Sequence, residues 1–198
     1  MTKDELEVLL NELDEALVKE FPGPETISVL VVGGACLLFS EITTRPTKDV
    51  DVIITDLLGE GEASLVYNLT PTAERIRKII EGIGKHHRLP PRDRMFFNDD
   101  CASFLLEIGQ GRLPDATLLR TYHKLRLYVP SDLRYILACK LMAGRQDKDF
   151  EDIAALREQL GIHTREQAQG LVNRFFPHVY HQYLYQLPRT LKVIFPEE

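Results

Sequence analysis

Apolar and polar positions alternate along the chain in two rhythms, one of strands and one of amphipathic helices. Thr2 and Glu5 have capping-box spacing, and Leu6, Leu9, Leu10, Leu13, Ala16 and Leu17 recur at helical intervals. This predicts a helix to about Lys19, ended by Pro22-Gly23-Pro24. Residues 27–32 form a buried, largely β-branched strand, followed by Gly33-Gly34 and a short apolar helix from Ala35 to Phe39. A second strand, from about Lys48 to Ile54, alternates polar and apolar positions. Asp56 to Glu62, with Gly59 and Gly61, reads as a loop. Thr70-Pro71 reads as an N-cap and first-turn proline for a helix with the stripe Ile76, Ile79, Ile80 and Ile83, closed by Gly84.

The second half is more helical. After a proline-broken stretch from Lys85 to Met95, Ala102 to Ile108 predicts a short helix stopped by Gly109 and Gly111. Ala116 to Tyr122 and Leu125 to Val129 alternate as a hairpin would. Ser131 is the expected cap of a helix with the stripe Leu133, Ile136, Leu137 and Leu141, ending at Gly144. A polar turn, 145–149, leads into a helix holding Phe150, Ile153, Ala154 and Leu156 and ending at Gly161. Thr164 with Gln167 is a second capping box for a helix to about Phe175, and the aromatic tail from Pro177 predicts a helix and a strap. The fold class is therefore α/β, a mixed β-sheet flanked by helices over 1–130 with a helical C-terminal region, 131–198, packed on it.

Chemistry concentrates where the first two strands meet. Residues i and i+2 of a strand share a face, roughly 6.6 Å apart along the backbone, so Asp49 and Asp51 project together while Val50 and Val52 face the core. Two carboxylates on one face can share a hard cation. Gly33 and Gly34 allow a tight turn that leaves helix-start N–H groups facing an anion. Magnesium takes one or two protein carboxylates plus phosphate oxygens, so a glycine turn beside a carboxylate pair suits a metal-bound nucleoside triphosphate. Alone, an Asp-x-Asp is usually a polar strand edge and a Gly-Gly usually a turn. Their order and separation carry the information.

A second constellation lies in 137–153. Lys140 falls on the inner edge of its helix stripe, and a buried ammonium needs a partner. Asp149 and Asp152, three apart on the next helix, face one way and can receive it. Two roles stand open for Lys140: a salt-bridge clasp between helices, or a cation beside a triphosphate.

Together these stretches resemble the nucleotidyltransferase superfamily, whose signature is a Gly-Gly or Gly-Ser turn, a short helix, then Asp-x-Asp or Asp-x-Glu on the next strand. The helix with a central Lys140, then Arg145 and the Lys148-Asp149-x-x-Asp152 run, is similar to AbiEii-type nucleotidyltransferases of bacterial abortive-infection and toxin–antitoxin systems and to related uncharacterised bacterial proteins. Phe97-Asn98-Asp99 looks like a motif of that uncharacterised group. The resemblance covers about residues 27–160. It implies a nucleotidyltransferase-like fold and transfer of a nucleoside monophosphate from a Mg2+- or Mn2+-bound NTP to a hydroxyl acceptor. Asp49 and Asp51 would hold the metal, and Gly33 and Gly34 would hold the β and γ phosphates. Lys48, Lys140 and Arg145 would neutralise the leaving pyrophosphate, with Asp149 beside them. One departure is plain: neither predicted hairpin strand carries the third carboxylate expected of the superfamily. Asp99, Asp100 and Asp115 are the substitutes, Asp99 first. Without one, the chain would be an inactive nucleotide-binding or protein-interaction module of the same fold. A structural protein that oligomerises through its first helix and aromatic tail is a third reading.

Composition narrows the setting. At 198 residues with 44% apolar content the chain can bury a substantial core, and it has no apolar run of transmembrane length. Met1 to Glu5 leads into an acidic amphipathic segment rather than a basic-then-apolar leader, so a cytoplasmic protein with no membrane partner is expected. Cys36, Cys101 and Cys139 are scattered in apolar contexts, as buried thiols are. His178 and His181 have helical spacing and no third ligand in view. The net charge of −6 excludes indiscriminate polyanion binding, yet 75–94 holds seven Lys or Arg against Glu81 and Asp93. That basic stretch is the expected contact for an RNA acceptor, and the toxin-like resemblance implies a cognate antitoxin.

Overall fold

The computed structural model describes residues 1–55, 71–146 and 149–196. Among them run, in chain order, α1 (Lys3–Glu20), β1 (Ile27–Val31), α2 (Gly33–Phe39), β2 (Val50–Thr55), α3 (Pro71–His86), β3 (Phe97–Asn98) and α4 (Cys101–Ile108). These are followed by β4 (Ala116–Thr121), β5 (Leu125–Pro130), α5 (Arg134–Ala143), α6 (Phe150–Leu160), α7 (Arg165–Phe175), α8 (Val179–Leu184) and α9 (Leu187–Ile194). The expected loop over 56–62 and the Thr70 cap lie outside the described residues.

The sheet is mixed and ordered β3-β2-β1-β5-β4. β1 sits at its centre, antiparallel to β2 and parallel to β5, with β4 antiparallel to β5 and β3 parallel to β2. The α/β expectation holds, and the C-terminal half is helical. The two halves share one continuous core that runs from Leu6 to Phe195. Both capping boxes form as their spacing requires, Thr2 with Glu5 and Thr164 with Gln167.

Several local expectations shift. α3 continues past Gly84 to His86. Ser131 does not cap α5, whose first turn follows Leu133; its hydroxyl pairs with Thr117 at 2.7 Å instead. The tail forms two helices, α8 and α9, rather than a helix and a strap. β3 is a two-residue edge strand in a segment read as a lead into α4.

One buried acid explains how α1 joins the sheet. The Asp14 carboxylate accepts from the backbone N–H groups of His123, Lys124 and Leu125 at 3.0, 2.7 and 2.8 Å. It thereby satisfies the donors of the β4–β5 turn that would otherwise be buried without partners. Asp14 thus orients α1 across β5. Among the described residues, no helix is long and apolar enough to cross a membrane.

Candidate functional site

β1 and β2 deliver the glycines and the carboxylates to one place. The Val32 N–H donates to the Asp51 carbonyl at 2.8 Å, which sets the end of β1 beside the start of β2. Gly33 comes next and starts α2 with φ +64°, a left-handed conformation that favours glycine. A Cβ built there would collide with the Asp51 carboxylate, so this glycine makes room for that side chain. Gly34 faces Thr47, whose hydroxyl donates to the Asp49 carbonyl at 2.7 Å. Asp49 lies immediately before β2 rather than within it, and both carboxylates still border one cleft.

That cleft, of about 240 Å³, is lined by Gly34, Arg45, Lys48, Asp49, Asp51, Asn98, Lys140 and Arg145, with Pro46 and Thr47. A second, more apolar cleft of about 230 Å³ adjoins it, sharing Asp51, Lys140 and Arg145 and continuing to Val32, Gly33, Cys101, Phe104, Leu105, Ile136, Cys139, Ala143 and Asp149. Of the residues singled out from sequence, Gly33, Gly34, Lys48, Asp49, Asp51, Lys140, Arg145 and Asp149 are brought to these joined clefts. Asp99 is not among their lining residues.

The cations come from α5 and the turn after it. Lys140 is buried and bridges two buried carboxylates, Asp149 at 3.0 Å and Asp152 at 2.6 Å. Arg145 grips Asp149 in a fork, Nε at 2.8 Å and Nη2 at 3.1 Å. Arg45, from the loop before β2, sets its Nη2 against both Asp152 oxygens, at 2.9 and 2.8 Å. The chain Arg45–Asp152–Lys140–Asp149–Arg145 therefore crosses from the carboxylate loop to the helical half. Both open roles of Lys140 meet here: it clasps α5 to α6 and borders the cleft.

These charges tune one another. Burial, then the neighbouring Asp49, pushes the Asp51 carboxyl from 3.8 up to about 6, although Arg145 and Lys140 pull against the rise. Burial also works to raise Asp149, but hydrogen bonds from Arg145 and Lys140 outweigh it and hold this carboxyl below its ordinary value. The hydrogen bond to Asp149 raises Arg145 further. Burial pushes the Cys101 and Cys139 thiols well up, so both stay protonated and serve as lining.

The expected third carboxylate, Asp99, does not line these clefts. Asp99 is buried and held by the Arg77 guanidinium, with Nε at 3.0 and 2.9 Å from its two oxygens. Directly across from Asp51 on the neighbouring strand stands Asn98, an amide. Its side chain accepts from the Asp100 N–H at 3.0 Å. Among the described residues no group of three or more His, Cys, Asp or Glu could hold a metal. The pair Asp49 and Asp51 nevertheless has the hard oxygen donors a divalent cation takes, and a mutual repulsion that Arg145 and Lys140 only partly offset.

The basic stretch 75–94 is largely occupied internally. Arg75 pairs with Glu20 and lies over the Phe21 ring, Arg77 holds Asp99, and Lys85 and Arg92 pair with Glu81 and Asp93. Sequence reasoning missed Arg45. Its partner Asp152 is 107 residues away, and a lone arginine in a polar loop gives no sign of such a pairing. Comparison with protein-family models, with curated proteins and with solved structures returns no match.

Proposed function

We propose that the protein transfers a nucleoside monophosphate from a nucleoside triphosphate to a hydroxyl acceptor, with Asp49 and Asp51 as the ligands of a magnesium or manganese ion. One observation carries this reading: the Asp49/Asp51 pair and the cations Lys48, Lys140 and Arg145 border one cleft. Bound there, a divalent cation supplies Lewis-acid polarisation of phosphoryl oxygens and charge neutralisation. The chain's own groups do the rest. Lys140 and Arg145, fixed by Asp149 and Asp152, present preorganised positive charge to the pyrophosphate as the bond between the α phosphorus and its bridging oxygen breaks. The acceptor oxygen forms the new bond to that phosphorus. The hydroxyl proton passes to water as that bond forms, since Asp49 and Asp51 would hold the ion in their deprotonated forms. Gly33 keeps Asp51 in place by leaving its carboxylate room.

The engagement of Asp99 by Arg77, and an amide at Asn98, favour a second reading: a module that binds metal-nucleotide and transfers nothing. The test is pyrophosphate release from ATP, GTP, CTP and UTP with Mg2+ or Mn2+, in wild type and in Asp49→Ala with Asp51→Ala. Release lost in the folded double variant supports transfer. Metal-dependent nucleotide binding with no release across acceptors supports the inactive module, and release retained by the double variant refutes this site.

A further inference from the structure

The second of the two joined clefts is built differently from the first. On α4, Cys101, Phe104 and Leu105 follow i, i+3, i+4 spacing, and on α5 Ile136, Cys139 and Ala143 follow i, i+3, i+7, so each helix turns one face into the same space. That space is about 230 Å³ in volume, and Val32, just past the end of β1, also borders it. The Phe104 ring is held edge-on by Tyr185, with 4.6 Å between ring centroids. Cys101, Phe104 and Cys139 are only half-buried and Ala143 is exposed, so apolar surface here stands open to an occupant.

The charged residues of this cleft are Asp51, Lys140, Arg145 and Asp149. The first three also line the carboxylate cleft, and the fourth is gripped by Lys140 and Arg145. The remaining side chains offer carbon and two thiols that burial keeps protonated. The Cys101 thiol is already turned to the Val52 carbonyl, at 3.7 Å. A nucleobase edge or the hydroxyls of a sugar would find almost no hydrogen-bonding side chain along α4 and α5, and an unpaired polar group is costly to bury. In the carboxylate cleft Arg45 and Lys48 stand with Lys140 and Arg145, so phosphates are better matched there. The two clefts therefore sort two reactants by polarity and share Asp51.

We propose that the apolar cleft takes the acceptor, and that this acceptor is a small phenol or alcohol with an apolar body, seated between α4 and α5 with its hydroxyl toward Asp51. The acceptor role rests on the transfer reading above. The hydroxyl oxygen bonds to the α phosphorus, and the bond from that phosphorus to its bridging oxygen breaks. Pyrophosphate leaves with the electron pair, and the hydroxyl proton passes to water. The product is a phosphodiester that joins the nucleoside to the apolar alcohol. Burial of the hydrocarbon body supplies affinity and the shared polar residues orient the hydroxyl, as in small-molecule sites generally. A nucleobase is the competing occupant of the same space.

The experiment is fluorine NMR line broadening of para-trifluoromethylphenol on the full chain, with fluorodeoxyglucose as a polyol lacking an apolar body. Binding is read first without nucleotide, then with Mg2+ and α,β-methylene-ATP. Wild type is expected to bind the phenol saturably, with a Kd of about 1 mM or tighter, and to ignore the polyol. Ala143→Phe and Cys101→Leu put bulk into the cleft at positions that are not fully buried, and each should weaken phenol binding at least about fivefold. Circular dichroism verifies folding. Tyr180→Ser with Tyr183→Ser, on the exposed face of α8, should leave binding unchanged. Absence of saturable phenol binding overturns the proposal, as does binding that ignores both cleft variants or is lost in the tyrosine variant. Displacement of the phenol by the nucleotide analogue overturns it in favour of a nucleobase site. Mass spectrometry with ATP, GTP, CTP or UTP and Mg2+ then looks for the aryl ester of the nucleoside monophosphate. Its formation by wild type and loss in Ala143→Phe support the acceptor role. Phenol bound with no ester formed overturns the transfer reading and the acceptor role with it. Because binding is read without nucleotide, a failed cleft and a failed transfer remain distinct results.

Discussion

Replacing Asp51 by asparagine removes the charge that the fold is least able to accommodate. The folded carboxyl titrates at about 6 against an ordinary 3.8, and at about 1.4 kcal/mol per pKa unit the ionised form is disfavoured by up to about 3 kcal/mol. Between pH 4 and 6 the folded chain binds more protons at this group than the unfolded chain does. Unfolding free energy therefore falls as pH rises through that window. The stabilisation present below about pH 4 is gone by about pH 7 in metal-free protein. Asp51→Asn has no such loss. In EDTA it should match wild type near pH 4 and exceed it at pH 7.5, by up to about 6–12 °C in thermal midpoint for a chain of this size. Added magnesium should raise wild type and leave the variant nearly unmoved, because the ion binds the deprotonated pair. Thermal unfolding by circular dichroism from about pH 4 to 8, with EDTA or magnesium, reads both effects. A variant less stable than wild type at pH 7.5 without metal, or a gap that does not change with pH, would refute the electrostatic account of Asp51.

Two further substitutions separate scaffold from chemistry. Lys140→Met should cost about 1–3 kcal/mol in urea unfolding, since it removes one charged partner from each of the buried Asp149 and Asp152 while Arg145 and Arg45 still hold them; a cost under about 0.5 kcal/mol would mean the clasp carries little. Asp99→Asn should lower stability by loosening Arg77 and change pyrophosphate release less than about threefold. A collapse of turnover with unchanged stability would instead identify Asp99 as the third carboxylate of the reaction.

Elements marked by local grammar were legible in the sequence. Capping boxes at Thr2 and Thr164, the β-branched run of β1 and the Ile76–Ile83 stripe each declare themselves within a few residues. The Lys140 pairing with Asp149 and Asp152 was legible for the same reason, since a lysine on an apolar stripe demands acids and the next helix offers two at one face. What escaped depends on residues far apart in the chain. Asp14 looks like a polar interruption of α1 until the β4–β5 turn arrives from more than a hundred residues later to use it. Asp99 reads as a free acid until Arg77 is placed beside it. β3 has only two residues, too few for any periodicity, and owes its existence to the edge that β2 offers.

The route of Arg45–Asp152–Lys140–Asp149–Arg145 across the molecule also sets a schedule. Asp51 and Lys140 are about 90 residues apart in the chain, so at roughly 5–20 residues per second a ribosome makes the carboxylates about 5–18 s before the lysine that balances them. During that interval the nascent polypeptide carries two mutually repelling acids and no counter-charge from α5. A chain that stalls or is cut before Asp149 keeps the Asp-x-Asp strand and lacks both Asp149 and Asp152, so Lys140 has neither of its buried partners. Competence for the proposed chemistry is thereby reserved for chains that extend at least through Asp152.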